Sequence, residues 1–204
     1  LIGVVDYRAG NAPSVMFALK RLGIPAVLVH TAAAIAAADR IILPGVGAAA
    51  ATIESLAESE LIDPLRARVV DDGVPFLGIC IGLQLIFEHS EEGHTDGLGW
   101  LPGLVHRFPD TDRVPQIGWN RVELRRPHPL TANLPAEPYC YFVNSYYAVP
   151  KHSDAVLGVT DYSVPFCSMV AAGNIAATQF HAEKSGEVGL GILANFATWD
   201  GTEC

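Results

Sequence analysis

Cys80 stands at the centre of Gly78-Ile79-Cys80-Ile81-Gly82, and far along the chain His181 precedes Glu183 by two positions. A thiol, an imidazole and a carboxylate are the parts of a nucleophilic triad. The imidazole takes the thiol proton through one ring nitrogen while the carboxylate holds the other. Most free cysteines are small buried hydrophobes, but the glycines around Cys80 have the spacing of a nucleophile elbow. In such an elbow small flanking residues let a sharp strand-to-helix turn lift one side chain above a sheet. Cys80 then lies at a helix N-terminus, where unpaired N–H groups favour a thiolate. A thiol of pKa near 8.5 is only a few per cent ionised at neutral pH, and lowering it by about two units takes about 2.7 kcal/mol. A helix end alone falls short of that, so a base is expected beside the sulfur. If His181 and Glu183 leave a strand in extended geometry, their side chains share a face with Cα atoms about 7 Å apart, and the carboxylate reaches the imidazole.

The elements that must position these groups read as strands alternating with helices. Ile2 to Asp6 is an apolar strand, and Val15, Ala18, Leu19 and Leu22 mark one face of a helix from Ser14 to Leu22. Ala26 to Val29 and Arg40 to Leu43 are further strands, with an alanine-rich helix or loop over 31–38 between them. Helical periodicity runs from 50 to 72, interrupted near Pro64, and leads into the strand over 75–79 that ends at Cys80. Between the third strand and that helical region lies Pro44-Gly45-Val46-Gly47, whose glycines allow a peptide to turn an N–H toward a ligand, as an oxyanion hole requires. In an open parallel sheet this loop lies beside the elbow, beyond the carboxyl ends of the strands.

Past about residue 95 the pattern changes to strands at 104–108, 119–124, 139–149, 155–160, 165–170 and 174–180, with one late helix from Glu187 to Trp199. The expected fold is α/β: a doubly wound, mainly parallel central sheet flanked by helices, with antiparallel strands added to the same sheet in the second half. No low-complexity linker divides the chain, and a single domain over 1–204 is expected.

Half of the 204 residues are hydrophobic, enough for a sizeable core. The net charge of −9 argues against a large nucleic-acid footprint. Arg107, Arg113, Arg121, Arg125 and Arg126 make the middle locally basic, a solvated face or a docking face for a partner. Cys80, Cys140, Cys167 and Cys204 form no metal-binding or disulfide pattern, and no H-E-x-x-H grouping occurs among the histidines, so neither a metal nor another cofactor is expected. His30, His89, His94, His106, His128 and His152 are read as surface or core residues. With no apolar run of membrane-spanning length and no basic flank at Leu1-Ile2-Gly3, a reduced cytoplasmic setting away from membranes is expected.

Gly78-Ile79-Cys80-Ile81-Gly82-Leu83-Gln84 together with Phe180-His181-x-Glu183 resembles the class I (triad) glutamine amidotransferases. Within that class the closer resemblance is to the glutaminase subunits of imidazole glycerol phosphate synthase, and it covers nearly the whole chain. It is carried by Asp6-Tyr7 with Gly10-Asn11, Pro44-Gly45-Val46-Gly47, Gly118-Trp119-Asn120, Tyr141-Phe142-Val143 with Ser145-Tyr146-Tyr147, and Glu183-Lys184-Ser185-Gly186. The resemblance implies that Cys80 attacks the side-chain amide of glutamine, that His181 relays protons and that Glu183 orients it. It further implies oxyanion donors in the backbone N–H groups of Val46 and Ile81, and glutamine holders in Gln84, Glu92, Asn144, Ser145 and Tyr146. The implied partner is a (β/α)8-barrel cyclase/synthase subunit that receives ammonia. Four positions depart from the family pattern. Ala182 replaces a common proline and implies looser positioning of the pair around it, Gln116 and Asn144 replace histidines, and Arg8 replaces a glycine, where φ > 0 is expected to be avoided. On the residues alone two other readings stay open: a stand-alone cysteine hydrolase or peptidase of the related α/β group, and a non-catalytic redox or binding module that keeps the elbow.

Overall fold

The computed structural model describes residues 1–8, 10–135 and 137–202, so Cys204, counted among the cysteines above, lies outside the described residues. Its first part runs β1 (Ile2–Val5), α1 (Ala12–Arg21), β2 (Ala26–Val29), α2 (Ala32–Ala36), β3 (Arg40–Leu43), α3 (Ala49–Glu58), α4 (Ile62–Arg66), β4 (Phe76–Ile79) and α5 (Ile81–Leu85). Strands then dominate: β5 (His89–Ser90), β6 (Thr95–Asp96), β7 (Gly103–Arg107), β8 (Gln116–Arg121), β9 (Glu123–Leu124), β10 (Tyr139–Asn144) and β11 (Tyr146–Pro150). The chain finishes with β12 (Val156–Tyr162), β13 (Val164–Ala172), β14 (Ile175–Thr178) and α6 (Gly186–Thr198).

The main sheet runs in the order β2-β1-β3-β4-β14-β13-β11-β7-β5-β6, and its first five strands are parallel. Every residue of β1, β4 and β14 is buried, as expected for strands covered on both faces. Alternate side chains enter opposite layers: Ile42, Leu77 and Ile79 pack with α1 and α6 on one face, and Ile41, Leu43 and Phe76 pack with α2 to α5 on the other. That two-sided burial makes the fold doubly wound. Helix α1 has Pro13 in its first turn and Lys20 and Arg21 in its last, matching the dipole at its C-terminus, and buries Ala12, Val15, Ala18 and Leu19.

The second half differs from the sequence expectation at two strands: the one expected over 119–124 divides into β8, in a two-stranded ribbon, and β9, beside β12. The expected strand over 139–149 is two strands broken at Ser145. Its first part, β10, pairs with β8 in a separate two-stranded ribbon, whereas β11 returns to the main sheet beside β7 and β13. The reason lies in the ribbon's burial pattern. Gln116, Cys140, Phe142 and Asn144 face inward, while Ile117, Trp119, Tyr139 and Val143 are exposed, so the ribbon packs on the body through one face only. The helical stretch breaks at Ser59 to Leu61 and not at Pro64, which sits in the first turn of α4, where a missing N–H costs nothing. Among the described residues no helix is long and apolar enough to cross a membrane.

Candidate active site

Strand β4 delivers Cys80 to the carboxyl end of the sheet, and the backbone there is strained: Cys80 has φ 56° and ψ −106°, a region L-residues avoid outside over-determined sites. Its N–H donates to Thr178 O at 2.8 Å, so the elbow is pinned to the end of β14. The two glycines are sterically required. A Cβ on Gly78 would come within 2.6 Å of Gly82 O, and one on Gly82 would overlap the carbonyl oxygen of Leu43. Leu43 is the last residue before the Pro44-Gly45-Val46-Gly47 loop, so elbow and loop are in direct contact. A Cβ on Gly45 would in turn overlap the Ile81 side chain and lie 2.5 Å from Tyr7 Oη. Tyr7 is buried beneath the loop with Thr52 beside its hydroxyl, and burial raises its pKa to about 12.

His181 leaves the end of β14, and its N–H donates to Tyr141 O at 3.0 Å. Its Nδ1 lies 2.8 Å from Glu183 Oε1, and both side chains are almost wholly buried. Asn11 Nδ2 donates to the same carboxylate oxygen at 2.8 Å and is itself held by Ser14 Oγ at 2.7 Å. Ala182 lies buried between His181 and Glu183. Ser185 Oγ donates to His181 O at 2.7 Å and Lys184 N donates to it at 3.1 Å, tying the turn without help from a proline. Burial works against a charged His181. Hydrogen bonds to Cys80 and Glu183, and the negative charge of both, outweigh it and push the imidazole up to about 9. The ring therefore holds a proton at neutral pH, with Nδ1 on the carboxylate and its other nitrogen toward the sulfur.

This raised pKa links the site to stability with a definite sign. A group whose folded pKa lies above its unfolded value near 6.5 contributes fully below that pH and loses its contribution as pH rises through about 9. The melting temperature of the parent chain is therefore expected to exceed that of His181→Asn by a margin that shrinks steadily between about pH 6.5 and about pH 9.5. Thermal melts of both chains across this range measure it, and a margin independent of pH would contradict it.

A cavity of about 230 Å³ opens over Cys80. Val46 and Gly47 of the loop, Ile81 and Gln84 of α5, Glu92, the 143–146 segment and His181 form its walls, with Glu183 behind His181. The space is smaller than the roughly 300–1,000 Å³ of drug-sized sites and suits a molecule of amino-acid size. Gln84 is buried and donates through Nε2 to Tyr146 O and to Gln179 Oε1, both at 3.1 Å. Glu92 accepts from Ala49 N at 2.7 Å, fixing the start of α3 just past the loop. Asn144 Nδ2 donates to Tyr146 O at 3.0 Å, while Asn144 Oδ1 and its cross-strand neighbour's Gln116 Oε1 are buried without partners.

Other sequence expectations are resolved differently. Arg8 does adopt a positive φ of 70°, stabilised by its N–H donating to Asp6 Oδ1 at 3.1 Å. Of the five arginines of the basic middle, Arg107 pairs with Asp110, Arg121 with Glu137 and Arg125 with Glu123, and Arg126 donates to Ala171 O, while Arg113 is exposed. His89 and His106 do meet carboxylates, those of Asp96 and Glu91, but at the surface and away from Cys80. Among the described residues no three His, Cys, Asp or Glu side chains converge to hold a metal ion. Sequence reasoning assigned no site role to Tyr7, Asn11 or Gln179. The first two follow β1 at the same end of the sheet as the elbow, a signal that the βα pattern contained.

A family profile, glutamine amidotransferase class-I, matches residues 4–198. The imidazole glycerol phosphate synthase subunit HisH of Desulfitobacterium hafniense is 44% identical over 200 residues, covering 98% of this chain and 94% of that protein. The HisH subunit of Syntrophotalea carbinolica is 43% identical over 204 residues, with 96% and 98% covered. Among solved structures, a glutamine amidotransferase superposes with a TM-score of 0.73 at 22% identity, covering 97% of this chain and 99% of that one. PurLQS from Thermotoga maritima also gives 0.73, at 19% identity and 96% coverage of each chain. These two show a shared fold.

Proposed function

We infer the activity from the premise that this chain belongs to the class-I glutamine amidotransferases, and within them to the HisH group of imidazole glycerol phosphate synthase subunits. It is the glutaminase subunit of that synthase, acting in histidine biosynthesis. Residues 1–204 serve as one amidotransferase domain, working in the cytoplasm as a heterodimer with a (β/α)8-barrel subunit.

In this reading the sulfur of Cys80 attacks the side-chain carbonyl carbon of glutamine. The oxyanion that forms is met by the N–H groups of Val46 and Ile81, Ile81 being the first residue of α5, whose N–H has no partner within the helix. His181 hands its proton to the departing nitrogen, ammonia leaves, and a thioester remains on Cys80. The imidazole, now neutral, takes a proton from water, which attacks the thioester and releases glutamate. Glu183 keeps the ring in one orientation and stabilises its charged form. Gln84, Glu92, Asn144, Ser145 and Tyr146 hold the amino-acid end of the substrate. The observation that carries this reading is the buried His181–Glu183 pair, at 2.8 Å, lining with Cys80 the wall of one small cavity.

Ammonia released into water is protonated and ceases to be a nucleophile, so the product must pass directly to the barrel subunit, where imidazole glycerol phosphate and aminoimidazole carboxamide ribonucleotide are made. The exposed face of the β8–β10 ribbon supports a docking position for that partner. Ile117, Trp119, Tyr139 and Val143 form an apolar surface on it, and Val143 also borders the cavity. Glutamate release measured with the chain alone, and again with purified barrel subunit carrying its nucleotide ligand, tests both points. A stimulation of about 100-fold or more is expected for the parent and a loss of most of it for Trp119→Asp, since a charge at a desolvated anchor costs a hot spot's worth of binding. No stimulation of the parent would contradict the subunit reading.

A further inference from the structure

Gln179 is fully buried beside the nucleophile, and the mechanism above gives it no task. Its backbone N–H is used on Ser168 O at 2.9 Å, which leaves the side chain to be explained. The direction of that amide follows from its neighbours. Tyr146 O is a carbonyl and only accepts, so the atom of Gln84 that faces it must be the nitrogen. The second proton of the same nitrogen reaches Gln179 at 3.1 Å and requires an oxygen there. The end of Gln179 left facing Cys80 Sγ, at 3.9 Å, is therefore its NH2 group. On another side of the sulfur stands Val143 O, also at 3.9 Å, an acceptor for the proton of a thiol.

We propose that Gln179 is a positioning residue that stabilises the charged form of the Cys80 sulfur, its N–H2 group held toward the sulfur by the chain Tyr146 O, Gln84, Gln179. The sulfur is poised between two groups of opposite preference. Val143 O favours S–H, Gln179 favours S−, and removing the amide donor leaves the acceptor unopposed. The other ionisable groups facing this point are His181 and Glu183 after β14, Tyr7 after β1, and Glu92 and Tyr146 across the cavity. Of these, His181 supplies a second donor, so loss of Gln179 weakens the anion without abolishing it. The wiring also gives substrate contact a route to the nucleophile: both protons of the Gln84 amide are committed, and a ligand that pulls on Gln84 disturbs the donor aimed at the sulfur.

The test reads the sulfur directly, through the rate at which iodoacetamide alkylates Cys80 between about pH 6 and about pH 9, followed by peptide mass spectrometry. Burial pushes the thiols of Cys140 and Cys167 up to about 12, so they stay silent in that range. In Gln179→Glu, which keeps the shape but presents an acceptor to the sulfur, the half-point is expected to rise by about one unit and the rate at neutral pH to fall about tenfold. Gln179→Met should move in the same direction by less. Gln84→Met, which frees the Gln179 amide to turn over, should also move that way and carries the test if the variants at 179 fail to fold. A half-point unmoved in folded variants, or a rate lowered equally at every pH, overturns the assignment. The inference rests on Cys80 being the nucleophile, and the two fail differently: selective labelling of Cys80 by a glutamine-analogue electrophile in the parent chain is the measurement on which that underlying reading stands or falls.

Discussion

Cys80→Ala is expected to leave a folded chain whose release of glutamate from glutamine, in complex with the barrel subunit, falls by about 10⁴-fold or more. The sulfur is the atom that forms the thioester, and no other thiol in the described cavity wall can replace it, because Cys140 and Cys167 lie in the core. Stability should change little. The substitution removes a single buried atom, and alanine bears the same backbone strain at φ 56° as cysteine does. The informative comparison is with synthesis fed by ammonium salts, which bypasses the thioester and should continue in the complex containing the variant. Loss of both activities, with the complex intact, would mean that Cys80 serves the architecture and not the chemistry.

Gly82→Ala is the second large effect, and here two contributions of opposite sign meet. Replacing glycine inside a helix stabilises it by about 1 kcal/mol. Against this, the new methyl group would occupy the space of the Leu43 carbonyl oxygen, which is backbone and cannot swing aside. Overpacking of this kind costs about 3 kcal/mol, and the strain falls on the joint between the elbow and the Pro44-Gly45 loop. The clash wins. A net loss of about 2 kcal/mol lowers the melting temperature of a chain of this size by about 4–8 °C. Glutamine turnover should fall further than stability, by about 100-fold, because a displacement of about 1 Å separates the oxyanion donors from the sulfur. Melting curves and turnover measured on the same preparation check this, and a variant with parental activity would show that elbow and loop are not rigidly coupled.

Much of this site was legible in the sequence, for a physical reason. An elbow needs glycine at two fixed offsets because backbone passes within van der Waals distance there, and such positions leave a mark in residue type. The same holds for Pro44-Gly45, which lies against Ile81 and Tyr7. The run of parallel strands was legible because strands buried on both faces must be apolar throughout. What could not be read was any feature decided by a partner distant in sequence. The break at Ser145 depends on the ribbon finding its own side of the body, and 139–149 is apolar enough on both sides of the break to read as one strand. Arg8 takes a left-handed conformation because Asp6 Oδ1 is there to receive its N–H. Ala182 proved compatible with a tight His181–Glu183 pair because Ser185 holds the turn. Gln179 was invisible for the same reason: a glutamine just past the end of an apolar strand carries no signal until Gln84 and Cys80 are found beside it.

Strand β14 lies between β4 and β13, and among the described residues every other strand of the sheet precedes it in sequence and so in synthesis. Until it arrives, β4 is an open border of an apolar parallel layer, and the imidazole that follows β14 has not yet been made. A growing chain thus holds its sulfur without a base while residues 81–180 are made, and acquires both the base and the missing middle of the sheet in one closing step. Unfinished copies are in this way barred from wasting glutamine, at the cost of a nascent intermediate whose exposed border invites aggregation.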